Sequence, residues 1–150
     1  MSLIDNVMAS LHVIFAAVWI GSALFMAGVV VPAARDGKMS AELASHVADR
    51  FSLVSIVGSA VMFVTGGHMA GTMYTFGALL NTVGGNLVLT MVVLWFLISG
   101  FLHMATKRFK DGVDEDRVRT PAKNSLVWYR ISAVLGFLLL VNGALLSFVY

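Results

Sequence analysis

The chain has 150 residues, of which 59% are hydrophobic and only 12% charged, with a formal net charge of +2. A soluble domain averages about 45–50% apolar and about 25% charged, so this composition excludes an ordinary soluble globule, and so small a surplus of cations makes no case for nucleic acid as a partner. No cysteine is present, which removes disulfides, thiolate metal sites and cysteine nucleophiles from consideration.

Residues 1–6, MSLIDN, lack the basic stretch of a secretory signal, and the apolar run behind them is too long for a signal core. The first segment therefore reads as a retained span. Four apolar segments follow one another, expected as helices over about 3–31, 40–70, 86–106 and 126–149. Each is near the ~20 residues that cross ~30 Å of hydrocarbon. In the first, LHVIFAAVWIGSALFMAGVVVP carries no charge. Ser2, Asp5 or Asn6 can cap its start, and Pro32, which has no N–H to donate, is expected to end it. The second has an uncharged core from Phe51 to Ala70. Its helical pattern begins near Ser40, with Glu42 in the first turn where the helix dipole favours an acid. The uncharged connection GTMYTFGALLNTVGG, with Tyr74 and Phe76, is expected in the headgroup zone or folded over the helix ends. The fold class that results is an all-α integral membrane protein, a single antiparallel bundle of four transmembrane helices over 1–150.

All ten Lys and Arg gather at two places. Arg35, Lys38 and Arg50 flank the first connection. Lys107, Arg108, Lys110, Arg117, Arg119 and Lys123 crowd the third, and Arg130 follows. These connections share a face in a four-span bundle. The positive-inside rule then puts 33–50 and 107–125 in the cytoplasm of a plasma or inner membrane, and both termini outside. Trp128, Tyr129 and Arg130 are expected to anchor the inner interface, and Tyr150 the outer.

No acid falls in the uncharged cores of the spans, so no carboxylate relay for proton pumping is evident. What remains is imidazole: His12, His46, His68 and His103. An ionisable group in hydrocarbon is costly and marks function by default. His12 and His68 lie near the same end of neighbouring antiparallel helices, and at 1.5 Å per residue their depths differ by only roughly a few Å. His103 lies near the opposite end of the third helix, and His46 on the extension of the second. Bis-imidazole ligation across a bundle is a usual way to hold a haem, with His12 as one ligand and His68 or His103 as the other. Trp19, seven residues after His12 on the same face, would form a wall. Among the nine methionines, Met8 and Met69 stand close to His12 and His68, and thioether with imidazole suits copper(I). Each histidine can also simply bond a neighbouring helix, and Trp19 and Trp95 can simply pack.

The stretch LHVIFAAVWIGSALFMAGVVVPA resembles the first span of the copper-resistance protein D family: Leu11–His12, a Trp-x-Gly seven residues on at Trp19 and Gly21, and the closing Pro32. The wider superfamily includes the HemJ-type protoporphyrinogen oxidases, haem-b-binding four-helix membrane proteins. Similar features here are His103 followed by Lys107 and Arg108, and the run Trp128, Tyr129, Arg130. The third span, NLVLTMVVLWF, departs in having no Lys. The resemblance implies a membrane haem b protein with His12 as ligand, acting in electron transfer or as an oxidoreductase. Four spans can close on themselves, the glycine-rich helix faces can also serve a homodimer, and a redox protein of this kind calls for a membrane redox partner. Copper handling through His12, His68, Met8 and Met69, or a cofactor-free accessory subunit, are the alternatives.

Overall fold

The computed structural model describes residues 2–113 and 117–149. Tyr150 lies outside the described residues, as does the 114–116 part of the third connection. All regular structure is helical, with no strand among the described residues.

Ser2 opens α1 (Leu3–Phe25). Its Oγ accepts from the Asp5 N–H at 3.1 Å, while the Asp5 carboxylate accepts from the Ser2 N–H at 2.7 Å, a reciprocal cap. Pro32 does not end this span. Met26–Val30 form a π turn, in which the Val31 N–H reaches the Met26 carbonyl, and α2 (Val31–Arg35) carries on with Pro32 in its first turn. Pro32 lacks the N–H that would continue the ladder, and the chain stays helical through the π turn and α2. Leu3–Arg35 is therefore one rod of 33 residues. Ser40 caps α3 (Ala41–Met73), its Oγ accepting from the Leu43 N–H at 3.2 Å. A short α4 (Phe76–Asn81) precedes α5 (Val83–Val113), and α6 (Arg119–Leu146) ends the bundle.

The helices outrun the apolar segments that mark them. α5 continues to Val113 and α6 starts at Arg119, because Lys, Arg and Ala beyond the apolar segments are good helix formers. The two ends pack closely, and a Cβ on Gly112 would collide with the Pro121 ring. The uncharged second connection becomes α4, folded onto the start of α5. Gly85 is buried there, and any Cβ on it would run into the Leu79 backbone.

Adjacent spans run antiparallel. α1 pairs along its length with α3, α5 pairs most extensively with α6, and α1 and α2 also meet α6, while α3 and α5 meet less. The tightest core lies in the half nearer the charged connections, where Trp19, Ile20, Phe109 and Tyr129 are fully buried. Tyr129 is thus no interface anchor. Its hydroxyl donates to Thr106 Oγ1 at 3.0 Å, and its ring meets Phe51 edge-on at 5.8 Å. Trp128 does sit at the charged end, stacked on Phe101 and beneath the Arg108 guanidinium.

At that end the connections touch. Gly37, at φ +75°, backs onto the Arg119 side chain, where a Cβ would clash. Lys110 pairs with Asp49. Arg35 bonds Asp36 at 2.9 Å and holds that exposed carboxyl below its usual range. The outward faces of the long helices are apolar, with Ile14, Val57, Phe96 and Phe137 among the exposed residues. Four helices among the described residues are long and apolar enough to cross a membrane, yet their most apolar windows are only 11–33% buried inside the protein.

Candidate functional site: the polar seam between α1 and α3

α1 turns one face to α3, made by Asp5, Met8, His12, Ala16 and Trp19 at helical spacing, and three polar rungs cross the seam. Deepest, Trp19 Nε1 donates to Ser55 Oγ at 3.1 Å. Gly58 makes room for the indole, since a Cβ there would stand 3.0 Å from Trp19 Cβ. Near the termini, His68 Nε2 meets Asp5 Oδ1 at 3.1 Å, both side chains a little over a quarter exposed. Between these rungs, His12 Nδ1 lies 2.8 Å from Thr65 Oγ1.

The middle rung fixes the imidazole tautomer. Thr65 Oγ1 is 2.6 Å from the Val61 carbonyl, which can only accept. The threonine proton therefore points to Val61, and its lone pair faces His12. His12 Nδ1 carries the proton in that bond, which leaves Nε2 of the neutral ring with a bare lone pair. The ring lies against Gly66, where an added Cβ would stand 3.0 Å from His12 Cε1. Thr65 is 2% exposed and the histidine half-buried, so this geometry sits well inside the seam.

His12 and His68 are brought to the same end of one seam, since Thr65 and His68 are three residues apart on α3. Each holds its own partner. Where Asp5 takes the His68 Nε2 proton, Nδ1 is the nitrogen left to accept. Met8, between Asp5 and His12 on α1, and Met69, one turn beyond Thr65 on α3, are half-buried along the same seam. His103 is elsewhere, exposed on α5 in the cleft between α3 and α5. The register set by Trp95 Nε1 on the Ser59 carbonyl at 3.1 Å and by Lys110 on Asp49 puts His103 beside Ser52–Ile56. That is about 15 Å along α3 from Thr65 at 1.5 Å per residue, too far to share one iron with His12. His46 is exposed near the start of α3. Among the described residues no group of three or more His, Cys, Asp or Glu converges on one point.

A haem requires an axial nitrogen in the right tautomer, and His12 Nε2 meets that requirement. A second sign of an unfilled polar demand lies at a similar depth. Gly136 of α6 packs on Ile20 of α1, so the antiparallel register sets Asn142 near the level of Ile14. Asn142 is 7% exposed, and its Oδ1 has no hydrogen-bond partner among the described residues.

Two participants carry little sign of their role in the sequence. Asp5 reads as a cap, although its place seven residues before His12 puts both on one helical face. Thr65 offered no local sign, since its partner is 53 residues away. Compared with known proteins, the chain matches no family model, no curated protein and no solved structure.

Proposed function

We propose that the chain is a multi-pass protein of a plasma or inner membrane that binds haem b through His12 and works as a redox protein. Both termini lie outside, and the connections at 33–50 and 107–125 lie in the cytoplasm. The membrane reading is supported by aliphatic side chains turned outward along all four long helices. The orientation is supported by charge. Every Lys and Arg lies toward the end of the two basic connections, and Asp5 is the one charged residue on the other side of the spans. The chain has no cysteine, so single-cysteine labelling tests this directly. In intact cells an impermeant maleimide is expected to label Gly77→Cys, and Lys38→Cys only after lysis; the reverse pattern would invert the topology.

The observation that carries the haem reading is the His12–Thr65–Val61 chain. It holds the imidazole in the Nδ1–H form and fixes its rotation, as a hydrogen-bonded second partner does for a metal-ligating histidine. The bare Nε2 would then hold the haem iron. His68, oriented by Asp5, is the candidate for the second ligand, and Trp19 would wall the group deeper in the seam. When bound, haem supplies a one-electron iron couple whose potential follows from its axial ligands and burial. The residues around it supply orientation and exclusion of water, and a membrane partner supplies or takes the electron. The resemblance of the first span to a superfamily with haem-binding members agrees with this.

A second reading, copper(I) handling, is favoured by a specific arrangement. His12, His68, Met8 and Met69 share the seam, and His68 offers Nδ1 while Asp5 holds its Nε2. Spectra of purified protein made with ample haem, oxidised and dithionite-reduced, decide between them. A Soret band that shifts on reduction, is lost in His12→Ala and is weakened in Thr65→Val is expected. A colourless sample with bound copper would replace the first reading by the second, and a colourless, metal-free one would remove both.

A further inference from the structure

The second seam of α3 is open. Between α3 and α5 lies a cleft of about 500 Å³, lined on α3 by Ser52, Ser55, Ile56 and Ser59, and on α5 by residues that include Ser99, Leu102, His103 and Thr106. Both sets follow the helical repeat, so each is a continuous face. Trp95, bonded to the Ser59 carbonyl, ties the helices together at one end. The Lys110–Asp49 pair ties them at the other, beside Lys107 and Asp111.

Four serines and a threonine facing one cleft are unusual in spans this apolar, and not all their hydroxyls are settled. Ser99 Oγ is buried with no hydrogen-bond partner among the described residues. A buried polar atom left so calls for an explanation, and an absent ligand is one. His103, one turn further along α5, faces the same cleft. The site therefore offers hydrogen bonds to oxygen atoms. It does not select a net charge, because the two lysines at its mouth are matched by Asp111 and Asp49. Ile56 is 63% exposed at its edge, so entry from the lipid side is open to an apolar molecule. An occupant of this size is neutral, lipid-soluble and oxygen-bearing at its head.

We propose that the α3/α5 cleft binds the ring of a lipid-soluble quinone, whose oxygens take hydrogen bonds from His103 and, once its side chain turns about χ1 into the cleft, from Ser99, while its tail leaves between the helices. The proposal concerns binding alone. It rests on the membrane-spanning reading and is independent of haem at His12.

The test is photolabelling of the full chain in phosphatidylcholine nanodiscs with a short-tailed azidobenzoquinone, using a decyl-substituted benzoquinone as competitor. Label is expected in peptides covering 52–59 and 99–107, to fall at least tenfold with competitor, and to fall by a similar factor in the Ser99→Ala/His103→Ala double variant. Both side chains lie outside the packed core, so the variant should keep the parent's thermal midpoint. Ser52→Leu, which fills the cleft, should also exclude the label. Label spread over the lipid-facing helix surfaces, label indifferent to these variants, or a tightly held phospholipid that the quinone cannot displace would overturn the proposal. Loss of a Soret band in His103→Ala would overturn it too, by giving the cleft to haem. A specific quinone signal in protein without a Soret band would leave this site standing and sink the haem reading alone.

Discussion

Helix α3 takes part in two seams that treat polar atoms in opposite ways. Toward α1, Ser55, Thr65 and His68 each hold a partner on the neighbouring helix: the Trp19 indole, the His12 imidazole and the Asp5 carboxylate. Toward α5, Ser59 turns its hydroxyl back to the Ile56 carbonyl, Ser99 bonds nothing among the described residues, and the helices part around a cleft. Gly58 and Gly66 admit the Trp19 and His12 rings into the closed seam. A closed polar seam specifies register and fixes which nitrogen of a histidine is free. An open one keeps hydrogen-bonding capacity in reserve. Residues of the first kind are expected to matter to stability, and those of the second to binding.

The sharpest way to break this comparison is Trp19→Ala. The indole is completely buried and bonded, and truncating such a side chain costs about 3–5 kcal/mol. Unfolding in mixed detergent and dodecyl sulfate micelles measures it. A loss under about 1 kcal/mol, below the usual range for such truncations, would mean that the seam is looser than its geometry implies. Asp5→Ala comes next. It removes both the reciprocal cap and the partner of His68, and loss of a capping interaction costs about 0.5–2 kcal/mol. The exposed part of the ion pair adds little. Asp5→Asn keeps a side chain that can cap and pair, and is expected to recover most of the loss.

How far the sequence foretold these seams depends on the range of the signal. Hydropathy marked all four spans, and Ser2 stood among three candidate caps and Ser40 at the start of the second helix because such start signals are local chemistry. Pro32 misled. Its missing N–H predicts a stop, but a π turn five residues long shifts the helix so that the proline falls in a first turn. The ends of α5 and α6 were missed because hydropathy marks where hydrocarbon stops, not where a helix does. His12 was legible as a charge-capable group in an apolar run, whereas its partner Thr65 was not, since nothing local ties residues 53 positions apart. Tyr129 was misplaced for the same reason. Tyrosine beside Arg suggests an interface, but Thr106 on another helix draws it into the core. The serines at 52, 55 and 59 form a polar stripe in the sequence, visible but without meaning until α5 is set opposite.

The smallest expected effects give the finest test, because of two serines that line the α3/α5 cleft one holds a partner on α1 and the other holds none among the described residues. Ser55→Ala removes the acceptor for the Trp19 indole, and interhelical hydrogen bonds in membranes average about 0.6 kcal/mol. A loss of that order is expected, with a change in tryptophan emission as the indole N–H is left unpaired. Ser99→Ala removes a hydroxyl that has no partner among the described residues. An unsatisfied buried group is itself unfavourable, so the alanine should leave stability unchanged or raise it slightly. Measured side by side in the same micelles without added quinone, the two variants should move in opposite senses or differ by about the value of one such bond. Equal losses would mean that Ser99 has a structural partner in the membrane after all, and the division of α3 into a seam that holds and a seam that binds would fail at its most exposed point. If Ser55→Ala alone loses stability and Ser99→Ala alone loses the quinone label, the hydroxyl is kept for a ligand at the expense of the fold.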